Sequence, residues 1–180
     1  MTNKNEGQRI VAFYDGSGFD DRGRSLQDIL NFNDSQLEYI HDFIQWLFPL
    51  REPSQANPDA PCLDDTGIER FRQSPQLREN MLRALDRMLA FYGLARKGDD
   101  IIQTPQFADH AGWLTPGNHN HLRLTRMIKS LRLLGNEESA LALFDRLSAI
   151  HDDERRRGFK NISDLTYVFW CDAAASNQDT

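Results

Sequence analysis

Apolar residues recur along this chain at spacings of three and four, and strict two-residue alternation is scarce. This periodicity predicts helices and no significant sheet. Glycine, proline and helix-capping side chains divide the pattern into segments. The predicted helices cover residues 8–14, a short stretch after Ser25, and residues 34–48, 66–72, 75–92, 118–134, 137–155 and 163–170. We therefore predict an all-α fold of about seven helices packed around one core.

The polar and small residues at both ends of the chain contrast with this periodic middle. Neither a repeat nor a linker interrupts residues 8–172, which predicts a single compact multi-helix domain. Residues 1–7 and 173–180 are expected to be disordered ends.

The segment 34–48 is the most apolar of the predicted helices. Its apolar side chains fill roughly 200 degrees of the circumference, at about 100 degrees per residue. A helix that is apolar most of the way round is contacted by several neighbours, so we expect it at the centre of the fold. Pro49 ends this helix. Three further prolines predict a long Pro-rich strap over residues 49–65, wrapped over the surface.

The helix predicted at 118–134 combines an apolar face with arginines. Arg123 and Arg126 lie opposite the core face, yet leucines flank them there. We expect at least one of these arginines to be partly buried and paired with a carboxylate, for which Asp42 and Glu38 are candidates. A solvated basic face is the alternative.

Composition places the chain among ordinary globular proteins. It has 180 residues, 39% of them hydrophobic, and a net charge of −6. That charge disfavours nucleic-acid binding, because phosphates require a basic surface. Cys62 and Cys171 lie far apart without metal-ligand spacing, so both are expected to be reduced thiols. The N-terminus lacks the apolar core of a signal peptide, and no apolar run approaches the roughly 20 residues that span a bilayer. We expect a soluble, cytoplasmic protein.

The sequence contains no strong catalytic motif, and we expect neither enzymatic activity nor a cofactor or metal. One alternative is a metal-dependent phosphohydrolase of the HD type. For such an enzyme His121, the pair His151-Asp152 and Asp164 occur in the required order, and His41-Asp42 forms a second pair.

Another alternative is nucleic-acid binding through the basic helix 119–134. Its basic side chains are Arg123, Arg126, Lys129 and Arg132. At the start of this helix we expect Asn118 or Asn120 to accept hydrogen bonds from free backbone donors.

Three stretches of the chain are specific enough to indicate a family. They are residues 41–49 (HDFIQWLFP), the strap with 52–54 (EPS) and 57–61 (NPDAP), and residues 118–126 (NHNHLRLTR). Together they resemble the conserved, N-terminal domain of the opioid growth factor receptor family, over roughly residues 10–150. Animal members of that family bind an enkephalin-type opioid pentapeptide and restrain cell growth. They also carry C-terminal segments with nuclear-targeting signals that this sequence lacks.

The resemblance implies a noncatalytic module that binds a short peptide or another protein. For such a module we expect the site in a groove beside the strap. The candidate residues are His41, Trp46, Arg51, Trp113, Asn118, His119, Asn120, Arg123 and Arg126. Arg51 or Arg123 would bind a peptide carboxylate through paired hydrogen bonds, and Trp46 or Trp113 would stack on an aromatic ring. The alternative is that both tryptophans are core residues and that His41 is a structural histidine.

Overall fold

The computed structural model describes residues 6–175, and these residues are mostly helical. The predicted helical fold is thereby confirmed, except for one small β-hairpin. Contacts along the chain group the residues into two compact units. The first unit extends to Arg87 and includes Leu133–Gly135, and the second contains the remaining residues. The organisation as a single domain stays a prediction.

The first unit is built from helices that mostly begin at capping side chains. Its elements are α1 (Glu6–Asp15), α2 (Leu26–Leu30), α3 (Asp34–Tyr39), α4 (Ile44–Leu47), α5 (Asp65–Gln73) and the part of α6 (Pro75–Phe91) that precedes Met88. The side chains of Ser25 and Asn33 each accept the backbone N–H three residues on, within a full capping box. Asp64 caps α5, which begins one residue before the predicted start at residue 66.

Aromatic side chains fill the core of the first unit. The ring of Tyr14 lies edge-on to Phe71 at 5.0 Å between centroids, which joins α1 to α5. The ring of Phe13 lies 5.3 Å from Trp46. Asn80 on α6 donates its side-chain N–H to the Tyr14 carbonyl at 2.8 Å. This bond pairs two buried polar groups, which offsets the free-energy cost of burying them in the apolar core.

The prediction of one unbroken helix over residues 34–48 is wrong. The chain leaves the helix at Ile40, whose backbone is extended (φ −90°, ψ 128°), and becomes helical again only at Ile44. Asp42 lies in this break and forms ion pairs with Arg22 at 3.0 Å and Arg24 at 2.8 Å. The break also permits residues 43–50 to be buried as one continuous run, which no regular helix face provides.

The proline-rich segment after α4 contains neither helix nor strand up to residue 64. Both of its ends are buried, and the backbone N–H of Leu63 donates to the Leu50 carbonyl at 2.9 Å. The backbone N–H of Cys62 donates to the Glu6 carboxylate at 3.0 Å, which fixes the second end to α1. The course of this segment as a strap over the surface stays a prediction.

The second unit places a hairpin and three helices around a further apolar core. Its elements are the end of α6, β1 (Leu94–Lys97), β2 (Asp100–Gln103), a 3₁₀ helix (Phe107–Trp113), α7 (Asn120–Leu133) as far as Arg132, α8 (Glu137–Arg156) and α9 (Asp164–Ala175). Helix α6 begins at Pro75 as predicted, and Gly135 and Gly158, both with positive φ, follow the ends of α7 and α8. Across residues 6–175, every helix falls short of the length and apolarity needed to cross a membrane.

The hairpin corrects the expectation that the chain has no significant sheet. Strands β1 and β2 pair antiparallel, with Leu94 opposite Gln103 and Lys97 opposite Asp100. Two glycines with positive φ make this possible, because Gly93 (φ 74°) ends α6 and Gly98 (φ 61°) lies in the turn. Each strand has four residues, which is too short for a two-residue alternation to stand out in the sequence.

The described ends of the chain are helical. Helix α1 begins at Glu6 and α9 continues to Ala175, so residues 6–7 and 173–175 are not the disordered ends that we expected. Both helices extend because their apolar faces are buried, with Ile10 on α1 and Ala173 on α9 almost fully enclosed. The remaining parts of the predicted ends, residues 1–5 and 176–180, lie outside the described residues.

We expect Gly93→Ala to destabilise the protein by at least about 2 kcal/mol. A Cβ atom at Gly93 would combine a left-handed backbone with an approach of 2.8 Å to the Cα of Phe107. Gly98→Ala is the matched control, because its backbone is also left-handed but no atom lies within 4 Å of its Cβ position. The control substitution should lower the free energy of unfolding by only about 1 kcal/mol. Urea unfolding measures both values, and equal losses would contradict the close approach at Gly93.

Candidate functional site

The nine residues of the predicted groove fall into both units. His41, Trp46 and Arg51 belong to the first unit. The second unit holds the other six, which are Trp113, Asn118, His119, Asn120, Arg123 and Arg126. The two sets are described separately, and a groove that uses all nine stays a prediction.

In the first unit the predicted residues differ in their exposure. Trp46 is only 1% exposed, and its ring centroid lies 5.3 Å from that of Phe13 and 5.2 Å from the guanidinium of Arg9. The indole is therefore enclosed by protein groups. His41 is exposed. Arg51 is also exposed and pairs with Asp65 at 2.5 Å.

In the second unit Trp113 belongs to a buried cluster of aromatic and polar side chains. Its indole N–H donates to the Tyr92 carbonyl at 3.2 Å. The Nε2 of His121 lies 3.0 Å from the Trp113 carbonyl, and the indole N–H of Trp170 donates to the His121 carbonyl at 3.2 Å. The His121 ring also meets both indoles edge-on, at 6.3 and 6.0 Å. These contacts connect the 3₁₀ helix, α7 and α9.

The amide of Asn120 extends this cluster to an arginine. Its Oδ1 accepts hydrogen bonds from the Tyr92 hydroxyl and from Arg123 Nη1, both at 3.2 Å. Arg123 is only 5% exposed, so the expected partial burial of an arginine on this helix is confirmed. Asn118 accepts the backbone N–H of Asn120 at 3.0 Å, which confirms the capping role expected at the start of α7. His119 and Arg126 are half-buried.

The cluster around His121 is held by hydrogen bonds that need no ligand. Burial lowers the pKa of His121 below its ordinary value, the hydrogen bond at the Trp113 carbonyl opposes this shift, and the nearby His119 adds to it. The ring is therefore neutral at neutral pH, and its Nε2–H donates to the Trp113 carbonyl. We assign the cluster a structural role, which is to position the 3₁₀ helix against α7.

The residues proposed for metal chemistry are engaged elsewhere. The His151 ring stacks on Tyr167 at 4.2 Å and contacts Asp152 through Nδ1. Asp164 forms an ion pair with Arg155. Across residues 6–175, no three His, Cys, Asp or Glu side chains come together in a group that could hold a metal ion.

Two arginines of the basic helix proposed for nucleic-acid binding are also engaged within the protein. Arg123 is buried, and Arg132 donates to the carboxylate of Glu137 at 2.9 Å and to the Ala174 carbonyl. These two arginines present little charge to solvent.

A cleft of about 580 Å³ lies within the second unit, and we call it the α8 cleft. One wall is a face of α8, and the other is the 3₁₀ helix with the residues that flank it. The residues that line it are Gln103, Phe107, Ala108, Ala111, Leu114, Arg146, Ala149, Ile150, Asp153, Glu154, Arg156, Arg157 and Asn161.

The lining of the α8 cleft combines apolar and charged side chains. Phe107 and Leu114 are half-buried apolar residues, Ile150 is 4% exposed, and the lining also holds three arginines and two carboxylates. The carboxylates are already engaged within the protein. Glu154 accepts the Asn161 side-chain N–H at 2.5 Å, and Asp153 lies 3.4 Å from Arg156 and 3.7 Å from Arg157. The cleft therefore carries one positive charge in excess.

Sequence reasoning did not identify the α8 cleft. The charged run 152–157 is typical of a solvated helix end, and the pattern of residues 98–118 is typical of a long loop. The spacing of Arg146, Ile150, Asp153 and Arg157 on one helix face was visible in the sequence. The missing signal was the position of the 3₁₀ helix, which alone turns that face into a cleft.

Most of the chain is similar in sequence to known proteins. Residues 7–163 match the model of the opioid growth factor receptor (OGFr) conserved region. The opioid growth factor receptor of Mus musculus is 40% identical over 125 residues, which are 66% of this chain and 20% of that protein. The opioid growth factor receptor of Rattus norvegicus is 42% identical over 125 residues, which are 66% of this chain and 21% of that protein.

Opioid growth factor receptor-like protein 1 of Xenopus tropicalis is 36% identical over 120 residues, which are 64% of this chain and 23% of that protein. The chain thus spans about a fifth of the length of the curated relatives it matches. No solved structure matches it.

We expect His121 to make the stability of the protein depend on pH. The unfolded chain binds a proton at this residue near pH 6.5, whereas burial lowers the folded pKa. As the pH falls, the unfolded state therefore binds more protons than the folded state. The stability contributed by neutral His121 is lost below about pH 6.5.

His121→Gln tests this, because an amide can donate to the Trp113 carbonyl but does not titrate. The advantage of the wild type over the variant in unfolding free energy should be larger at pH 7.5 than at pH 5.0. An advantage that stays constant over this range would show that His121 does not titrate differently in the folded state.

Proposed function

Because the chain belongs to the opioid growth factor receptor family, we propose that it is a non-enzymatic domain that binds a short peptide or a segment of another protein. The relatives are named as receptors, which favours binding over catalysis. The observation that carries the proposal is the α8 cleft, a concave surface lined by both apolar and charged side chains. We place the binding site there.

The size of the α8 cleft supports a ligand of a few residues. Its volume of about 580 Å³ falls within the range of roughly 300–1,000 Å³ that is typical of ligand pockets. Along α8 the lining extends from Arg146 to Arg157, which is about 16 Å at a rise of about 1.5 Å per residue. A fully extended peptide of about five residues has a similar length, at roughly 3.4 Å per residue.

The lining of the α8 cleft supports a peptide over a purely apolar small molecule. Phe107 and Leu114 offer surface to apolar side chains, while the arginines and Gln103 offer donors to backbone carbonyls and carboxylates. A peptide presents both kinds of group along its length. The predicted groove around Arg51 is the competing location for the same function.

We expect Ala149→Phe to abolish peptide binding without unfolding the protein. Ala149 is exposed and lines the α8 cleft, so a phenyl ring there fills space that the ligand needs. A random library of pentapeptides is equilibrated with the purified protein by dialysis, and retained peptides are identified by mass spectrometry. Peptides retained by the wild type should bind the variant at least about tenfold more weakly.

Ala90→Phe is the matched control, because Ala90 is an exposed position on α6 in the same unit and does not line the cleft. It should retain the wild-type set of peptides. Arg51→Ala tests the competing location, at little cost to stability because its ion pair is exposed. If Arg51→Ala loses the peptides that the wild type retains while Ala149→Phe keeps them, the binding site lies outside the cleft. Retention of no peptide by the wild type would contradict the proposed function.

A further inference from the structure

Helix α9 is apolar on both its inner and its outer face. On the inner face Trp170 and Tyr167 contact histidines of α7 and α8. On the outer face Leu165, Val168 and Phe169 are 61%, 49% and 41% exposed. Each of the other described helices has at most one large apolar side chain that is exposed. A helix that is apolar all round is normally covered on all sides, so the outer face of α9 is a candidate interface.

We infer that this outer face binds a second copy of the chain, with the two α9 helices packed antiparallel. The three exposed side chains, Leu165, Val168 and Phe169, are called the α9 stripe. Their spacing of three and four residues places them on one side of the helix, which a facing helix can cover. The residues of this sequence outside the described part contribute only Met1 as a large apolar side chain. They offer little surface to cover the stripe, which favours a separate molecule as its partner.

The N-terminal end of the α9 stripe is basic. Residues 155–160 (RRRGFK) carry four basic side chains and no acidic one. Arg155 at the end of α8 forms an ion pair with Asp164 in the first turn of α9, which places this basic run beside the start of the helix. Lys160, four residues before Asp164, is exposed.

The C-terminal end of the α9 stripe is acidic. Asp172 is exposed and lies two turns beyond Leu165 on the same side of the helix. Arg132 donates both to the Ala174 carbonyl and to the carboxylate of Glu137, which brings Glu137 close to the end of α9. This arginine is half-buried, whereas Glu137 is exposed.

This division of charge selects the partner and its direction. In an antiparallel pair of copies, each basic end lies against the acidic end of the other copy, and the two helix dipoles also oppose each other favourably. A parallel pair would bring like charges together at both ends. An anionic membrane is a poorer match, because the acidic end of the stripe would be repelled.

The α9 stripe also defines a register for the pair. When Leu165 faces Phe169 of the second copy, two-fold symmetry forms this apolar contact twice. In that register Asp172 faces residue 162 of the other copy, two positions from Lys160. The flexible lysine side chain can therefore reach the carboxylate, and this ion pair is also formed twice.

The size of the α9 stripe indicates a reversible dimer. Stable interfaces bury roughly 1,200–2,000 Å² in total, and three side chains from each copy supply only the apolar core of a smaller one. We therefore expect a dissociation constant of roughly 10–100 µM.

Sedimentation of the purified protein at about 5 to 500 µM measures this constant. Leu165→Asp should weaken the dimer at least about tenfold, because it places a charge in the apolar contact. Leu122→Asp is the matched control, since Leu122 is a leucine in the first turn of α7, in the same unit, and is 65% exposed. It should leave the constant unchanged. Thermal unfolding of each variant checks that the fold is retained.

Charge reversal tests the antiparallel arrangement. Lys160→Glu and Asp172→Lys should each weaken the dimer severalfold, because each puts like charges together in both contacts. An equimolar mixture of the two variants should dimerise about as tightly as the wild type, since opposite charges then meet at both ends. In a parallel pair each single reversal would exchange one like-charge contact for another. Unchanged constants in the single variants would therefore overturn the antiparallel arrangement.

Three further outcomes would overturn the inference. The first is a wild-type protein that stays monomeric up to about 500 µM. The second is an equal loss of dimer in Leu165→Asp and Leu122→Asp, which would place the contact elsewhere. The third is a monomer that binds phosphatidylserine vesicles through Leu165, which would make the stripe a membrane contact. The peptide site is tested separately, because the stripe residues do not line the α8 cleft.

Discussion

The second unit depends on the requirement that buried polar groups be hydrogen-bonded. Trp113, His121 and Trp170 bring two indole N–H groups and an imidazole into the core, and each finds a backbone carbonyl there. These three bonds fix the 3₁₀ helix and α9 relative to α7. Because the 3₁₀ helix forms one wall of the α8 cleft, the shape of the proposed site follows from contacts that no ligand touches.

Local signals in the sequence predicted much of the helical fold, and tertiary contacts decided the rest. The residues Ser25, Pro75 and Gly135 act within a few positions of themselves, so they marked helix boundaries correctly. Asp42 lies in the break after Tyr39, where its ion pairs with Arg22 and Arg24 join residues about 20 positions apart. No periodicity reports such a contact, and the apolar run around it was equally compatible with an unbroken helix.

The candidate site was less predictable than the fold for a related reason. The α8 cleft depends on the placement of the 3₁₀ helix against α8, and no local pattern in the sequence reports a contact between segments so far apart. Family resemblance directed attention to residues 41–49 and 118–126 instead. In both segments the structure assigns several residues to the interior, including Trp46, Asn120 and Arg123, where packing accounts for their chemistry.

The contact between Arg146 and Ile101 joins an arginine that lines the α8 cleft to the backbone of β2. A two-stranded hairpin has few bonds of its own and frays easily. Fraying at Ile101 would release the guanidinium, and by thermodynamic reciprocity an occupied guanidinium would suppress that fraying. A ligand bound at Arg146 would therefore stabilise the pairing of β1 and β2, and the order of this small sheet would report occupancy of the α8 cleft.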